Sequence, residues 1–129
     1  MYSDVNNIMI FPDNHDMSRI YTQLNEDFDK WKMAMTLFFT TRGTLQFYYG
    51  TEILMSNPGT SDHGVIRSDF PGGWKGDAVN AFTGEGLTAQ QKEAQEYIRV
   101  LAHLRKNSCA LNSGELLHFI PQEEVYVYF

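Results

Sequence analysis

The first half of the chain combines two short apolar runs with one amphipathic stretch. The apolar run that ends the segment from Val5 to Phe11 is stopped by a Pro-Asp-Asn sequence, which is typical of a buried strand entering a loop. Apolar side chains recur at helical spacing from Phe28 to Arg42, which predicts a helix of about four turns with Gly43 as its C′ residue. The aromatic and β-branched run from Thr44 to Tyr49 predicts a second buried strand. Together these elements predict a βαβ crossover.

The second half opens with a long irregular segment and continues into a helix. Residues 50–86 hold most of the glycines and show little periodicity, so they predict a loop far longer than usual, of the kind that often carries function. Thr88 and Gln91 form a capping-box pattern, and the apolar positions that follow predict a helix to about Lys106.

Two short strands are expected at the C-terminal end, from Leu116 to Ile120 and from Glu124 to Phe129. No turn signal follows the second strand. A natural domain seldom stops within a strand, so we interpret the C-terminus as a truncation. The single cysteine, Cys109, cannot form an internal disulfide and is expected to be a small buried hydrophobic residue.

Composition and charge narrow the classes of function. A chain of 129 residues with 43% hydrophobic and 14% aromatic residues can form one packed domain and is not expected to be disordered. Its net charge of −6 would repel phosphate backbones and anionic lipids, so neither nucleic acid nor a membrane surface is an expected partner. No apolar run reaches the ~18 residues of a membrane-spanning helix, and the first four residues do not resemble a signal peptide.

The densest polar cluster is Asp13–Asp16 with Arg19, directly after the first predicted strand. In parallel α/β folds, ligands bind at this end of the strands. The alternative, which composition alone favours, is that Asp and Asn form an Asx turn and a helix cap here. A metal role has less support, because the pairs His15-Asp16 and Asp62-His63 lack the His spacing that lets one helix face bind zinc. We therefore expect no metal and no cofactor in this chain.

Aromatic residues around the long loop suggest a second kind of ligand contact. Phe47, Tyr48, Tyr49, Phe70 and Trp74 could form a platform on which sugar rings stack. The alternative is core packing, which is favoured more for Phe47 and Tyr49 than for Trp74, because glycines flank Trp74. No Ser or Cys nucleophile pattern accompanies these residues.

Two segments carry motifs in a recognisable order. Residues Phe11–Asp16 contain F-x-x-N-H-D, and about thirty residues on, Gly43–Glu52 ends in Y-Y-G-x-E. In this order and at this spacing, the pair resembles barrel strands seven and eight of the alpha-amylase family, glycoside hydrolase family 13. Leu45-Gln46 stands where a proline is common in that family. The run Ile66–Trp74 looks most like the neopullulanase and cyclomaltodextrinase branch.

The resemblance implies a role for each matching residue. Asp16 would be the carboxylate that binds sugar hydroxyls and stabilises the distorted, oxocarbenium-like transition state. His15 would hydrogen-bond the same ring, and Asn14 would support the loop. Arg19 and Arg67 would be walls of the glucan cleft. Trp74 is added as a substrate-binding residue because of its predicted stacking on sugar rings and not because of the resemblance.

The resemblance also implies that the chain is a fragment. It corresponds to the last two βα units of a (β/α)8 TIM barrel, an α/β fold, followed by the first strands of a C-terminal β domain. Residues 1–108 would run from strand seven to helix eight, and residues 109–129 would begin the β domain. In this family the nucleophile and general acid of the retaining mechanism, about 5–5.5 Å apart, come from strands four and five, which are absent here.

Two functions from different classes follow. The first is a fragment of a retaining hydrolase of starch, maltodextrin, cyclodextrin or pullulan, inactive alone; the alternative is a non-catalytic carbohydrate-binding module. A purely structural domain gives no reason for Asn14-His15-Asp16 at a strand end. The expected partner is an α-glucan oligosaccharide, and exposed barrel edges predict self-association. The family allows calcium in the parent protein, for which it favours the periplasm or cell envelope, and no oxygen-ligand cluster stands out in this chain.

Overall fold

The computed structural model describes residues 4–129 and begins with two short parallel strands. Strand β1 is Met9–Ile10 and strand β2 is Thr44–Leu45, with Met9 opposite Thr44 and Ile10 opposite Leu45. The predicted βαβ crossover is confirmed, because a helix lies between two strands that pair in parallel. Within the described part of the chain, these strands form a two-stranded sheet.

Both strands are shorter than the sequence pattern predicts. The predicted strand Val5–Phe11 starts instead as a 3-10 turn over Val5–Asn7, because the Asp4 carboxylate accepts a backbone N–H of this turn at 2.8 Å. The strand predicted at Thr44–Tyr49 loses its partner after Gln46, whose N–H donates to β1 at 2.9 Å. The first strand ends at Ile10, and the chain continues there as the loop before α1.

Two helices separate the strands: the single turn α1 (Ile20–Gln23) and the long α2 (Phe28–Thr40). The Asp27 carboxylate caps α2 by accepting two free N–H groups at 3.0 and 3.1 Å. The helix ends before the predicted Arg42, so the prediction of Gly43 as its C′ residue is wrong. Gly43 instead has φ +110° where β2 begins, and a Cβ there would lie 2.7 Å from a backbone oxygen of the segment before β1.

The predicted loop over residues 50–86 contains local structure that its composition did not indicate. A 3-10 turn at Thr51–Ile53 follows β2. A one-turn helix, α3 (His63–Ile66), is capped by Asp62, whose carboxylate accepts a backbone N–H at 2.7 Å. This segment has its own small core, which consists of Ile53, Ala81 and Leu87.

Helix α4 (Ala89–Asn107) packs against α2 and completes the main core. The capping box predicted for Thr88 and Gln91 is confirmed by two hydrogen bonds of 3.0 and 3.1 Å. The buried residues that the two long helices contribute are Trp31, Met35, Phe39, Ala94, Ile98 and Leu101. Leu45 of β2 packs on this core, which holds the strand pair in place. No helix among residues 4–129 is both long and apolar enough to cross a membrane.

A short helix that the sequence pattern did not predict, α5 (Cys109–Ser113), follows α4. The Ser108 side chain caps it by accepting an N–H at 3.4 Å. Cys109 is exposed, so the expectation of a buried small hydrophobic residue is wrong. The reason is that α5 lies outside the core and buries none of its residues.

The two strands expected at the C-terminal end pair as an antiparallel hairpin, although regular strand geometry is limited to isolated bridges. Leu117 and Phe129 exchange backbone hydrogen bonds of 3.0 and 2.8 Å. The turn has positive φ at both central residues, +49° at Glu123 and +63° at Glu124, which matches the right-handed twist of the flanking strands.

Candidate functional site

The loop between β1 and α1 carries the predicted polar cluster. Asn14 Oδ1 accepts the Asp16 N–H at 2.8 Å, so the Asx turn considered from the sequence is present. The same turn leaves the side chains of His15 and Asp16 open to solvent, with 59% and 64% exposed and 3.1 Å between Nε2 and Oδ2. The cluster therefore satisfies its own backbone and also presents two polar groups to a ligand.

Arg67 directly follows α3 in the long irregular segment, and its side chain contacts this loop. Its Nε donates to the His15 carbonyl oxygen at 3.0 Å, and its Nη2 donates to Asp16 Oδ1 at 2.9 Å. His63, at the start of α3, places Nδ1 3.1 Å from the same Nη2. The structure thus brings together the predicted residues His15, Asp16 and Arg67. It adds His63, which the i, i+4 spacing to Arg67 could have indicated.

Arg19 is buried, with 1% of its surface exposed. Its Nε donates to the Ile66 carbonyl oxygen at 2.9 Å, and its Nη1 donates to the Tyr49 carbonyl oxygen. The rings of Tyr48 and Tyr49 lie 4.2 and 4.8 Å from the guanidinium carbon. This placement differs from the expected wall of a glucan cleft, because a covered guanidinium offers almost no surface to a sugar. The two tyrosines are likewise engaged with Arg19.

Asp13 and Thr51 connect the loops that follow the two strands, and the sequence pattern did not single out this contact. The buried Asp13 carboxylate accepts the Ile20 N–H at 2.9 Å and the Thr51 hydroxyl at 3.0 and 3.1 Å from its two oxygens. Burial raises the pKa of the Asp13 carboxyl, and these hydrogen bonds and the charge of Arg19 oppose that shift.

Glu52 follows Thr51 and has one carboxylate oxygen, Oε2, buried without a hydrogen-bond partner among residues 4–129. Arg19 Nη2 is likewise buried without a hydrogen-bond partner among residues 4–129. Burial raises the pKa of the Glu52 carboxyl, with hydrogen bonds from backbone N–H groups and the charge of Arg19 acting in the opposite direction. Buried polar atoms are paired in most proteins, so these two atoms are poorly satisfied groups next to the strand ends.

Trp74 lies apart from the Asp16 cluster in the hydrogen-bond network. Its turn is held by Asp77, whose Oδ2 accepts two backbone N–H groups at 2.8 and 3.1 Å, and 66% of Trp74 is exposed. Within the described residues, no hydrogen bond connects the Trp74 side chain to Asp16 or Arg67.

Residues 4–129 contain no group of three or more His, Cys, Asp or Glu side chains that could hold a metal ion. Calcium, which the family resemblance allowed for a longer protein, therefore has no such ligand set in the described part of this chain.

Comparison with known proteins gives the family. The alpha-amylase catalytic domain matches residues 2–100. The chain is 30% identical over 127 residues to cyclomaltodextrin glucanotransferase of Paenibacillus macerans and 29% identical over 127 residues to an alpha-amylase of Niallia circulans. These alignments cover 98% of this chain but only 15% and 20% of the two relatives, so the chain spans a small part of their length.

Solved structures agree with this match. The alpha-amylase of H. orenii superimposes with a TM-score of 0.72 at 25% identity, covering 93% of this chain and 26% of that one. The acarbose complex of the Geobacillus thermoleovorans alpha-amylase gives 0.70 at 23% identity, covering 98% and 25%. The parallel strands and the crossover helix place the chain in the α/β class, and the family match makes residues 2–100 part of a catalytic domain. The chain belongs to the alpha-amylase family, glycoside hydrolase family 13.

The relatives do not single out the neopullulanase and cyclomaltodextrinase branch. They include glucanotransferases, an alpha-amylase and a debranching enzyme of Nostoc punctiforme, which has a TM-score of 0.68 at 20% identity and covers 95% of this chain and 21% of that one. The branch stays a prediction that rests on the run Ile66–Trp74.

Proposed function

We propose that the chain is the C-terminal quarter of the catalytic (β/α)8 barrel of an enzyme that acts on α-glucans. Residues 1–108 would run from strand seven to helix eight, and residues 109–129 would begin the C-terminal β domain. The coverage supports this assignment, because nearly the whole chain aligns with 25% to 26% of two solved alpha-amylases. The observed βαβ unit is also the repeating unit of such a barrel.

The observation that carries the proposal is the placement of Asp16. Its carboxylate follows the C-terminal end of a parallel strand, which is the face where barrel enzymes build their active sites. The carboxylate is exposed, yet Asn14 and Arg67 hold its residue in place. A sugar ring would therefore meet an oriented carboxylate. Hydrogen bonds from ring hydroxyls that strengthen in the transition state can supply several kcal/mol in glycoside hydrolysis.

The neighbouring residues would bind the glucan. His15 would hydrogen-bond the same ring, because its imidazole lies beside the Asp16 carboxylate and is equally open. Asn14 would support the loop through the Asx turn. Arg67 keeps 46% of its side chain exposed as a cleft wall, and Trp74 offers an exposed ring for stacking on a sugar.

Catalysis would require two further carboxyl groups from outside this chain. A retaining mechanism uses a nucleophile and a general acid about 5–5.5 Å apart, and the motifs for both are missing from the sequence. We therefore expect the chain alone to be inactive. The unpaired buried atoms Arg19 Nη2 and Glu52 Oε2 support this reading, since the missing barrel elements would supply polar partners for them.

Glucan transfer is a second candidate reaction, favoured by the Paenibacillus macerans relative, which is a glucanotransferase. Hydrolysis and transfer share the glycosyl-enzyme intermediate, and they differ in whether water or a sugar hydroxyl attacks it. Asp16 would have the same role in both. An α-glucan oligosaccharide as ligand is supported by solved complexes of AmyP with maltose and maltotriose.

Hydrolysis assays on cyclodextrin and pullulan test the proposal. The samples are the 129-residue chain, a longer protein that joins this segment to upstream barrel strands, and the Asp16→Asn variant of that protein. We expect an inert chain, an active longer protein, and a variant whose kcat falls about 100-fold or more. Asp29→Asn, at an exposed position on α2, is the matched control and should leave kcat unchanged.

Other outcomes have defined meanings. Turnover by the 129-residue chain would contradict the assignment, because the nucleophile and acid would then lie within it. Glucan binding by this chain, with no activity in the longer protein, would favour the carbohydrate-binding module.

A further inference from the structure

Arg67 holds the Asp16 loop at two points with one edge of its guanidinium. Its Nε donates to the His15 carbonyl oxygen at 3.0 Å and its Nη2 to Asp16 Oδ1 at 2.9 Å. The two nitrogens lie side by side in a rigid plane, so a backbone atom and a side-chain atom of adjacent residues are fixed together. A lysine at this position would carry the same charge without the planar fork.

The second Nη2 hydrogen of Arg67 is directed to His63, whose Nδ1 lies 3.1 Å away. Because arginine can only donate, Nδ1 has to accept, which places the proton of the neutral imidazole on Nε2. His63 Nδ1 also lies 3.4 Å from the His15 carbonyl oxygen, but these two atoms do not form a hydrogen bond, because both are then acceptors. His63 thus has a tautomer that depends on Arg67 and directs the guanidinium toward the loop.

Arg19 fixes the segment from which Arg67 projects. It donates to the carbonyl oxygens of Ile66, the residue before Arg67, and of Tyr49, which follows β2. The rings of Tyr48 and Tyr49 lie against the guanidinium. Because displacing a buried charge from its partners is strongly unfavourable, α3 is held at a fixed place relative to the strand ends.

We propose that Arg67 is a positioning residue for Asp16, and that Arg19 sets the place of Arg67 through Ile66. Arg67 orients the carboxylate before a substrate arrives, so that the group is already aligned with the developing charge of the transition state. The catalytic value of this alignment rests on the proposed function, whereas the alignment itself does not.

Nuclear magnetic resonance of the 129-residue chain at about pH 8, where imidazoles are ordinarily neutral, tests the alignment directly. In Arg67→Met, we expect the Asp16 amide to exchange with solvent roughly 5- to 30-fold faster. This is the change in the opening equilibrium expected when the two hydrogen bonds from Arg67 to the loop are lost. The nitrogen-15 spectrum of His63 should change from one tautomer to a mixture. Arg67→Lys should give both changes, because charge without the fork does not restore them.

Two further variants separate local from global effects. Arg99→Met removes an arginine that pairs with Glu96 on α4, and it should change neither signal. Arg19→Lys should accelerate exchange at Asp16 and mix the His63 tautomers while α4 amides stay protected. If α4 protection is also lost, the Arg67 variants, which alter an exposed side chain, still decide the question.

The proposal is overturned if Arg67→Met leaves Asp16 exchange and the His63 tautomer unchanged, or if Arg67→Lys restores both. In the longer protein, Arg67→Lys should lower kcat about tenfold with KM within about twofold, whereas a change in KM alone would show that Arg67 acts only as the proposed wall of the glucan cleft and does not position Asp16. An active Asp16→Asn variant would refute the proposed function, while the spectra of the 129-residue chain would still test the alignment.

Discussion

The Thr51 hydroxyl lies 3.0 and 3.1 Å from the two carboxylate oxygens of Asp13, to which it donates across 38 residues of sequence. Asp13 follows β1 and Thr51 follows β2, so this contact joins the loops at the C-terminal ends of the two parallel strands. Because the Asp16 loop begins at Asp13, the contact also fixes the base from which the candidate site projects.

Replacing Thr51 with valine should destabilise the chain by about 1–3 kcal/mol, because the buried Asp13 carboxylate would lose a hydroxyl donor without a change in side-chain shape. Urea denaturation followed by circular dichroism measures the free energy of unfolding. The control is Thr44→Val, at an exposed position of β2, which should change stability by less than about 0.5 kcal/mol. Equal effects of the two substitutions would contradict the importance of the Asp13 contact.

Gly43 is required by backbone geometry, and Gly43→Ala tests this. At φ +110°, an added Cβ would lie 2.7 Å from the Ile8 carbonyl oxygen, so we expect a loss of about 1–3 kcal/mol in the free energy of unfolding. The control is Gly59→Ala, which also has a positive φ, +71°, but meets nothing within 4 Å. Thermal and urea unfolding should show a larger loss for Gly43→Ala. Equal losses would mean that the clash with Ile8 is relieved by a small shift.

Much of the fold follows from local patterns, because those patterns report on burial. The apolar spacing of α2 and the capping box at Thr88 predicted the two long helices nearly to their ends. The strand lengths were overestimated, since strand formation depends on a partner. The Thr44–Tyr49 run has strong β propensity, but β1 provides pairing for little more than two of its residues.

The candidate site was predictable only in part, for a similar reason. The polar residues Asn14, His15 and Asp16 are adjacent in the sequence and follow a strand, so their position could be deduced. The contact of Arg67 with Asp16 spans 51 residues through an irregular loop, and no periodicity indicates where such a loop folds back. The family resemblance implied that Arg19 lines the cleft, and a resemblance does not show which side chains the fold covers; Arg19 is 1% exposed and lies against two tyrosine rings.

Glu52 should make stability depend on pH. Its pKa is raised by burial from an ordinary value of 4.5, so at pH values between 4.5 and the raised pKa the folded chain holds a proton that the unfolded chain has lost. The Glu52 contribution to the free energy of unfolding therefore falls as pH rises through this range. Glu52→Gln removes this contribution, so the variant should gain stability relative to the wild type as pH increases toward 7.

Urea denaturation at a series of pH values measures this dependence. Asp13 acts in the same direction and stays in the variant, so the curve should become flatter without becoming level. Glu115→Gln, at an exposed position, is the control and should keep the wild-type profile. A Glu52→Gln profile parallel to the wild type would show that the Glu52 carboxyl has the same pKa in both states.

Self-association of the 129-residue chain is the remaining prediction, and its basis is exposed apolar surface. Within residues 4–129 the β1–β2 sheet has only two strands, and in the C-terminal hairpin Ile120 is 86% and Phe129 77% exposed. Sedimentation velocity over a concentration series should show dimers or larger species. Ile120→Lys should weaken association about tenfold or more, because the apolar burial of one large side chain is lost, whereas Val100→Lys on α4 should not. A monomer at all concentrations with a cooperative melt would show that this part of the barrel covers its own edges.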